Sequence, residues 1–280
     1  MYDIKTIMML AEFPADAQAF FQGLMEDAEL QSSLARIASH YMKKDAVETE
    51  LDLLAEKTGI HRYSADMLML LQAACALGEQ YMQKGYSEEL FRQTVLDLGY
   101  KLRECRTVYG IFGTFVLPWF DRFYDCTRFK LGRLQYETAV LEQDFPGFGK
   151  KGETVLDCHI PSCGPMTMED VMRSLDEAYH FYGFNGPMTV MCASWMLYPP
   201  HYPLFPEGSN LQKFYHLFRL AEIQSYGCAH DAWRIFGTAD EDPDKWPQDT
   251  ALQRNFHAYL TKGNVMGYGR GFLFYTPSST

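Results

Sequence analysis

Residues 154–183 read TVLDCHIPSCGPMTMEDVMRSLDEAYHFYG and decide how the second half of the chain folds. Their apolar start predicts a buried strand over residues 154–160, which Pro161 ends because it has no backbone N–H for a sheet. Thr167 and the aspartate three positions later form a capping box, which predicts a helix over residues 167–182 that stops at the next glycine. A strand, a short loop and a helix in direct succession favour a fold with helices packed on a sheet.

The chain before residue 125 has a different period. Its apolar residues recur at steps of three and four, as in residues 63–84, and this spacing is typical of amphipathic helices. Residues 131–141 instead alternate apolar and polar side chains, which is the period of a strand with one buried face. We therefore predict a helical bundle over residues 1–124 and a separate domain over residues 125–280.

The second domain is predicted to be α+β or α/β, with a mixed sheet flanked by helices. In chain order the patterns predict strands over residues 131–141 and 154–160, a helix over 167–182, a strand over 188–198, a helix over 209–226, a strand over 231–236, a helix over 250–262 and a strand over 265–275. In the last strand Gly267, Gly269 and Gly271 leave one face without side chains. This face predicts the close approach of another backbone or of a ligand, or a bulge.

Composition and charge narrow the class of protein. Hydrophobic residues make up 47% of the chain, which excludes wholesale disorder. The formal net charge of -11 argues against nucleic acid and anionic membranes as partners. No apolar window is long enough to span a membrane and no export signal is visible, so we expect a cytoplasmic protein. Seven cysteines without a C-x-x-C pair or a zinc-like spacing predict reduced thiols and no metal.

The junction at residues 160–167 has the properties of an anion site. A strand that ends next to a capped helix presents unpaired N–H groups and the positive end of the helix dipole at one place, which can receive a pyrophosphate. The alternative is an ordinary turn in which Gly164 supplies an unusual backbone angle. The loop matches neither a P-loop nor a G-x-G-x-x-G fingerprint, so spacing alone leaves both interpretations open.

A resemblance to a known family rests on five segments. They are residues 131–137 (LGRLQYE), 159–165 (HIP-x-x-GP), 194–197 (SWML), 209–210 (SN) and 252–254 (LQR). In this order they resemble a bacterial family whose members join a helical N-acyltransferase N-terminal domain to a GNAT-like C-terminal domain. The resemblance covers nearly the whole chain. It implies an N-acyltransferase that uses acetyl-CoA or another acyl-CoA and a small-molecule amine, with no prediction of oligomeric state.

In GNAT enzymes the coenzyme lies at a strand, the loop after it and the next helix, while the following strand splays away to make room for the pantetheine. By position the resemblance assigns these roles to residues 154–160, 167–182 and 188–198. A backbone N–H near His159 or Ile160 would polarise the thioester carbonyl. The loop residues implied in cofactor binding are Ile160, Ser162, Cys163, Gly164, Met166 and Thr167.

Amine acylation needs a base for the ammonium and often an acid for the departing thiolate. His159 and Glu137 are candidate bases, and Tyr215 resembles the general acid of many GNAT enzymes. The alternatives are a hydrogen-bonded structural histidine, a solvated carboxylate and a packing tyrosine. Cys163 at a helix N-terminus is a weaker candidate, as a nucleophile.

Arg133, Trp195 and Asn210 are candidates for substrate binding. Arg133 would bind a carboxylate or phosphate unless it forms an ion pair on the strand face. Trp195 would line the acyl or substrate groove unless it belongs to the core. We expect the amine to attack the thioester directly while both substrates are bound.

The loop departs from the GNAT pattern Gln/Arg-x-x-Gly-x-Gly/Ala. Met166 stands where a second small residue is expected, and Pro165 contributes no N–H. These departures favour a rival hypothesis, a GNAT-fold binding or regulatory protein without catalytic activity. The rival predicts that Met166 and Trp195 fill the channel between the splayed strands.

Overall fold

A computed structural model describes residues 2–41 and 44–277 of the chain. The chain divides into two compact units, Met1–Lys130 and Leu131–Thr280. The boundary predicted from the change of period, between residues 124 and 125, stays a prediction. No helix among the described residues combines the length and the hydropathy that crossing a membrane requires.

The first unit is helical, as predicted. Its helices are α1 (Ile4–Leu10), α2 (Ala15–Leu24), α3 (Ala28–Ala38), α4 (Lys44–Thr58), α5 (Arg62–Gln83), α6 (Glu88–Tyr109) and α7 (Asp121–Tyr124). Helix α5 has buried residues on most of its circumference, which is typical of a helix at the centre of a bundle. Helix α6 begins at a serine cap, because the Ser87 hydroxyl accepts a hydrogen bond from the Leu90 N–H at 3.1 Å.

The second unit contains the predicted mixed sheet, with strand order β1-β2-β3-β4-β6-β5. The strands are β1 (Arg128–Leu131), which spans the division between the units, β2 (Leu134–Val140), β3 (Thr154–His159), β4 (Met188–Ser194), β5 (Arg219–Ser225) and β6 (Gly267–Tyr275). The helices are α8 (Met168–Phe181), α9 (Asn210–Tyr215), α10 (Trp233–Phe236) and α11 (Ala251–Leu260). Strands β3 and β4 are parallel, whereas β2 with β3, β4 with β6 and β5 with β6 are antiparallel.

The predicted helix over residues 209–226 is wrong. Its start forms α9, but residues 219–225 form β5, which pairs with β6. Residues 219–225 have helix-like apolar spacing and do not alternate as a regular strand does. They form the edge strand β5, whose register is irregular between Leu220 and Glu222 and in which Ile223 is 57% exposed. Sheet pairing with a distant strand therefore overrides the local pattern.

The predicted strand over residues 231–236 is also wrong, because its end forms the single turn of α10. Asp231 has a positive φ of 70°, and Gly237 ends the turn with a φ of 66°. Both angles are incompatible with an extended strand. The predicted strand over residues 188–198 ends at Ser194, and Trp195–Leu197 continue as a 3₁₀ turn that the Ser194 hydroxyl caps.

The glycines of β6 allow the close approach of another backbone, which was one of the predicted alternatives. A Cβ on Gly269 would lie 2.0 Å from the carbonyl oxygen of Leu197, and one on Gly267 would lie 2.5 Å from that of Gln224. A Cβ on Gly271 would lie 2.8 Å from the Cβ of Phe218. The 3₁₀ turn after β4 therefore packs directly on β6, and this contact requires glycine.

Replacing Gly269 by alanine tests this packing. Because the new methyl group would overlap the Leu197 carbonyl, we expect Gly269→Ala to lower the free energy of unfolding by about 1–3 kcal/mol. Urea unfolding measures the change. Gly186→Ala is the control, since nothing lies within 4 Å of its Cβ position. Equal midpoints for the two variants would contradict the packing account.

Candidate functional site

Three titratable side chains meet on one face of the sheet near the end of β3. The register of β2 and β3 places Glu137 opposite Asp157 and Gln135 opposite His159, so all four side chains share a face. The Nε2 atom of His159 lies 2.8 Å from Oε1 of Glu137 and 3.9 Å from Oδ2 of Asp157. The exposed fractions of the three side chains are 19% for His159, 11% for Glu137 and 21% for Asp157. The cluster is thus largely withdrawn from solvent but reachable.

Glu137 orients His159. With the carboxylate ionised, Nε2 of the ring donates the hydrogen bond to Glu137, which fixes the orientation of the imidazole. Sequence analysis offers the two residues as separate candidate bases, and the structure joins them in one hydrogen-bonded pair. Asp157 is not among the candidates that the sequence suggests, although it lies two positions before His159 on the same strand.

The same three side chains could also act as ligands of a metal ion. His159, Glu137 and Asp157 offer ligand atoms within 4.8 Å of one another. A zinc ion needs four ligands at about 2.0–2.2 Å from protein nitrogen and oxygen. Here the nitrogen and the closer oxygen already share a proton at 2.8 Å, which a metal would have to displace. The arrangement favours a proton-transfer pair.

Arg133 holds the loop between β3 and α8 through hydrogen bonds to three backbone carbonyls. Its Nη1 donates to the carbonyl of Pro161 at 3.0 Å, Nη2 to that of Gly164 at 2.9 Å, and Nε to that of Pro165 at 3.2 Å. The Cys163 thiol lies 3.8 Å from the backbone oxygen of Arg133 itself. The guanidinium therefore binds loop carbonyls, whereas the sequence suggests a substrate anion or an ion pair.

Four backbone amides of the same loop have no hydrogen-bond partner among the described residues. The backbone N–H groups of Cys163, Gly164, Met166 and Thr167 make no hydrogen bond within the described part of the chain. Gly164 has a φ of 94° and no atom within 4 Å of its Cβ position, so the tip of the loop is open. The loop thus presents four unsatisfied donors.

Helix α8 begins directly after these amides. The Thr167 hydroxyl accepts a hydrogen bond from the Asp170 N–H at 3.1 Å, which confirms the predicted cap. Glu169 and Asp170 in the first turn add negative charge, and Arg173 offsets it by pairing with both, at 2.9 Å and 3.5 Å. One net negative charge therefore remains in the first turn of α8, and it reduces the attraction of the helix dipole for an anion.

Strands β3 and β4 pair only briefly. Their parallel register joins Leu156 to Val190 and Asp157 to Met191, and it ends before His159. Beyond that point β4 continues to pair with β6 on its other side. The register of β3 and β4 therefore ends before the loop, which is where the two strands would have to separate for an extended ligand to lie between them.

Two buried thiols lie where the pairing ends. Cys158 and Cys192 are each 1% exposed. A hydrogen bond that the Cys192 thiol donates to Cys158, together with burial, holds the pKa of Cys192 well above its usual range. Cys192 is therefore a neutral thiol at physiological pH and is not activated as a nucleophile.

Met166 is buried, with 8% of its surface exposed, and the rival hypothesis that its side chain fills the channel between the strands stays a prediction. The ring of Trp195 packs with aromatic side chains, 5.9 Å from the ring of Phe205 and 5.7 Å from that of Phe256. Trp195 thus belongs to an aromatic cluster.

Tyr215 and Asn210 lie on α9. Tyr215 is half-buried with its ring 4.8 Å from that of Tyr202, and burial raises the pKa of its hydroxyl. Within the residues that the structure covers, neither side chain makes a hydrogen bond or ring contact with His159 or Arg133. Their roles, like that of Trp195, stay predictions.

Comparison with known families settles the ancestry of the chain. The N-acyltransferase N-terminal domain matches residues 3–126, and the GNAT-like C-terminal domain matches residues 129–273. The chain belongs to this family. The resemblance found in the sequence is thereby confirmed. No curated protein sequence matches the chain.

Solved structures share the fold. The chain is similar to an acyltransferase mutant in complex with octanoyl-CoA, with 20% identity, a TM-score of 0.76, and coverage of 96% of this chain and 86% of that chain. It is also similar to an acyltransferase in complex with decanoyl-CoA and teicoplanin, with 20% identity, a TM-score of 0.67, and coverage of 98% and 100%. These likenesses confirm the predicted GNAT-like architecture.

The hydrogen bond between His159 and Glu137 predicts that the protein holds no metal. We expect elemental analysis of purified protein to find no stoichiometric zinc or manganese, and EDTA to leave the melting temperature unchanged. Asp157→Asn is the control, because it would remove one ligand of any metal site. One metal ion per chain in the wild type that is lost in Asp157→Asn would contradict this assignment.

Proposed function

We propose that this family member is an acyl-CoA-dependent N-acyltransferase that joins an acyl group to an amine by direct attack in a ternary complex. The observation that carries the proposal is the loop after His159, whose amides at Cys163, Gly164, Met166 and Thr167 lack partners within the described residues. Membership of the N-acyltransferase family and the acyl-CoA complexes of similar structures support it.

The loop and the N-terminus of α8 would bind the diphosphate of the coenzyme. Four N–H groups and a helix dipole favour an anion without any nearby lysine. The pantetheine would lie between β3 and β4, beyond the end of their register. Since similar structures hold octanoyl-CoA and decanoyl-CoA, medium-chain acyl groups are the first to test.

The reaction would use the pair of His159 and Glu137. His159 takes a proton from the ammonium group of the acceptor, and the freed nitrogen lone pair attacks the thioester carbon. A backbone N–H near Ile160 stabilises the oxyanion, and collapse breaks the C–S bond to release the CoA thiolate. The cationic nitrogen of the adduct then gives its second proton to the departing thiolate, directly or through Tyr215. Glu137 holds the imidazole in place and stabilises its positive charge while the proton is on the ring.

Tyr215 remains the candidate acid that protonates the thiolate. Burial raises the pKa of its hydroxyl, which keeps the group protonated at neutral pH. The free state of all described cysteines is compatible with the cytoplasmic location that we infer from the sequence.

The second candidate function is coenzyme or ligand binding without catalysis. It is favoured by the departures of the loop from the GNAT pattern, Pro165 and Met166. A chain of this kind would bind acyl-CoA, or nothing, and would release no CoA in the presence of amines.

Isothermal titration tests the coenzyme site. We expect octanoyl-CoA to bind with a Kd on the order of micromolar, a binding free energy of about -8 kcal/mol. Acetyl-CoA measures the contribution of the acyl chain, and octanoate is the control that lacks the coenzyme. No heat and no thermal shift with either thioester at millimolar concentration would overturn the enzyme hypothesis.

Replacing His159 tests the chemistry. With teicoplanin, glucosamine and hexylamine as acceptors, we expect His159→Gln to slow CoA release by about 100- to 10,000-fold while the Kd for octanoyl-CoA is unchanged. Glu137→Gln should slow it less, because an amide oxygen still accepts the hydrogen bond but carries no charge.

His257→Gln is the matched control. His257 is half-buried on α11 and its Nε2 bonds the carbonyl of Pro243 at 3.1 Å, outside the proposed site. Equal rates for His159→Gln and His257→Gln would rule out His159 as the base. Absence of CoA release from wild-type protein that binds octanoyl-CoA would favour the non-catalytic alternative.

A further inference from the structure

We propose that Arg133 is a positioning residue for the coenzyme, which holds the loop at residues 161–165 so that its amides face the diphosphate. The inference rests on the proposed function, because it concerns the same loop. It is drawn from the three hydrogen bonds of the guanidinium to the carbonyls of Pro161, Gly164 and Pro165, at 2.9–3.2 Å. Arg133 touches no coenzyme atom in this account and acts through the loop.

Peptide geometry converts these bonds into a direction for the donors. A trans peptide carries its C=O and N–H on opposite sides of the chain, and the described residues contain no cis peptide. Because the Pro165 carbonyl points at Arg133, the Met166 N–H points away from it. The Pro161 carbonyl directs the Ser162 N–H in the same way. The N–H groups of Cys163, Gly164 and Thr167 belong to peptides whose carbonyls Arg133 does not contact, so its direct effect on the unsatisfied donors is at Met166.

This geometry also explains the two departures from the GNAT pattern. Pro165 removes a donor only from the peptide after Gly164, whose carbonyl is one of those that Arg133 holds. Met166 is a buried residue, and its N–H lies on the side of its peptide opposite Arg133. Arg133 thus fixes the direction of one donor in a loop that lacks the second glycine.

Arg133 itself is held by α8. It lies in the two-residue turn between β1 and β2, and the fully buried Ser174 hydroxyl accepts a hydrogen bond from the Leu134 N–H at 3.1 Å and donates one to the Leu131 carbonyl. A Cβ on Gly132 in the turn would lie 3.3 Å from Cα of Ser174. The turn, the helix and the loop are therefore fixed relative to one another.

The charge of the guanidinium adds to this effect. Arginine stays protonated in proteins, so a positive charge lies behind the loop at any working pH. Hydrogen bonds to the carbonyls also polarise the peptides, which makes their N–H groups better donors. Arg133 should therefore strengthen the binding of the anionic part of the coenzyme and leave the binding of its thioester end unchanged.

Two thioester probes distinguish binding of the diphosphate from binding of the thioester end of the coenzyme. Octanoyl-CoA carries the diphosphate, whereas octanoyl-pantetheine keeps the thioester and lacks it. For Arg133→Gln we expect the Kd of octanoyl-CoA to rise at least about tenfold, while that of octanoyl-pantetheine changes less than about twofold. Isothermal titration or a thermal-shift series measures both. An equal loss for both probes would show a merely structural role and overturn the inference.

Two variants complete the design. Arg254→Gln is the control, because Nη1 of Arg254 also donates to loop carbonyls, those of Gln248 and Asp249 at 2.9 Å, ahead of a different helix. It should leave both affinities unchanged. Arg133→Lys keeps the charge with fewer directed donors, so we expect an intermediate loss for octanoyl-CoA alone, and it carries the comparison if Arg133→Gln does not fold.

The outcomes distinguish this inference from the proposed function. Wild-type protein that binds octanoyl-CoA, with Arg133→Gln binding it equally well, would overturn the role of Arg133 only. Wild-type protein that binds no octanoyl-CoA would overturn the proposed function and the inference with it.

Discussion

The hydrogen bonds between the Arg133 guanidinium and the carbonyls of residues 161–165 are the constraint on which the site depends. Residues 161–165 carry five carbonyls but only three N–H groups, because two of the five residues are prolines. By holding the carbonyls of Pro161, Gly164 and Pro165 on one side, Arg133 directs the N–H groups of Ser162 and Met166 to the other. The open tip at Gly164, the cap of α8 and the end of β3 at His159 then define a single concentrated patch of N–H groups.

For an anionic ligand, hydrogen bonds from the loop amides outweigh the repulsion by the net negative charge of the chain. A net charge of -11 opposes an anionic ligand, but at physiological salt exposed charges are screened beyond about 8 Å. A hydrogen bond to a charged group contributes about 1.5–3 kcal/mol at contact distance. Several outward amides can therefore bind a diphosphate on a strongly acidic protein, and the pairing of Arg173 with Glu169 and Asp170 offsets one of the two negative charges in the first turn of α8.

Sequence alone predicts the parts of this site whose causes are local. The strand before Pro161 and the cap at Thr167 depend on adjacent residues, and both occur in the structure. The strand at residues 219–225 was missed because its pairing with β6 is set by residues about fifty positions away. The pairing of His159 with Glu137, and the contact of Arg133 with loop carbonyls, depend on strand register and tertiary position, which no periodic pattern encodes.

The central claim is that the outward amides bind the diphosphate. The most direct test is an NMR titration of ¹⁵N-labelled protein with desulfo-CoA, followed at the amides of Cys163, Gly164, Met166 and Thr167. The account predicts that these four protons move downfield together as they acquire phosphate acceptors, with smaller shifts elsewhere in the sheet. Saturation of the protein with those amides unmoved, or shifts confined to a distant part of the chain, would contradict it.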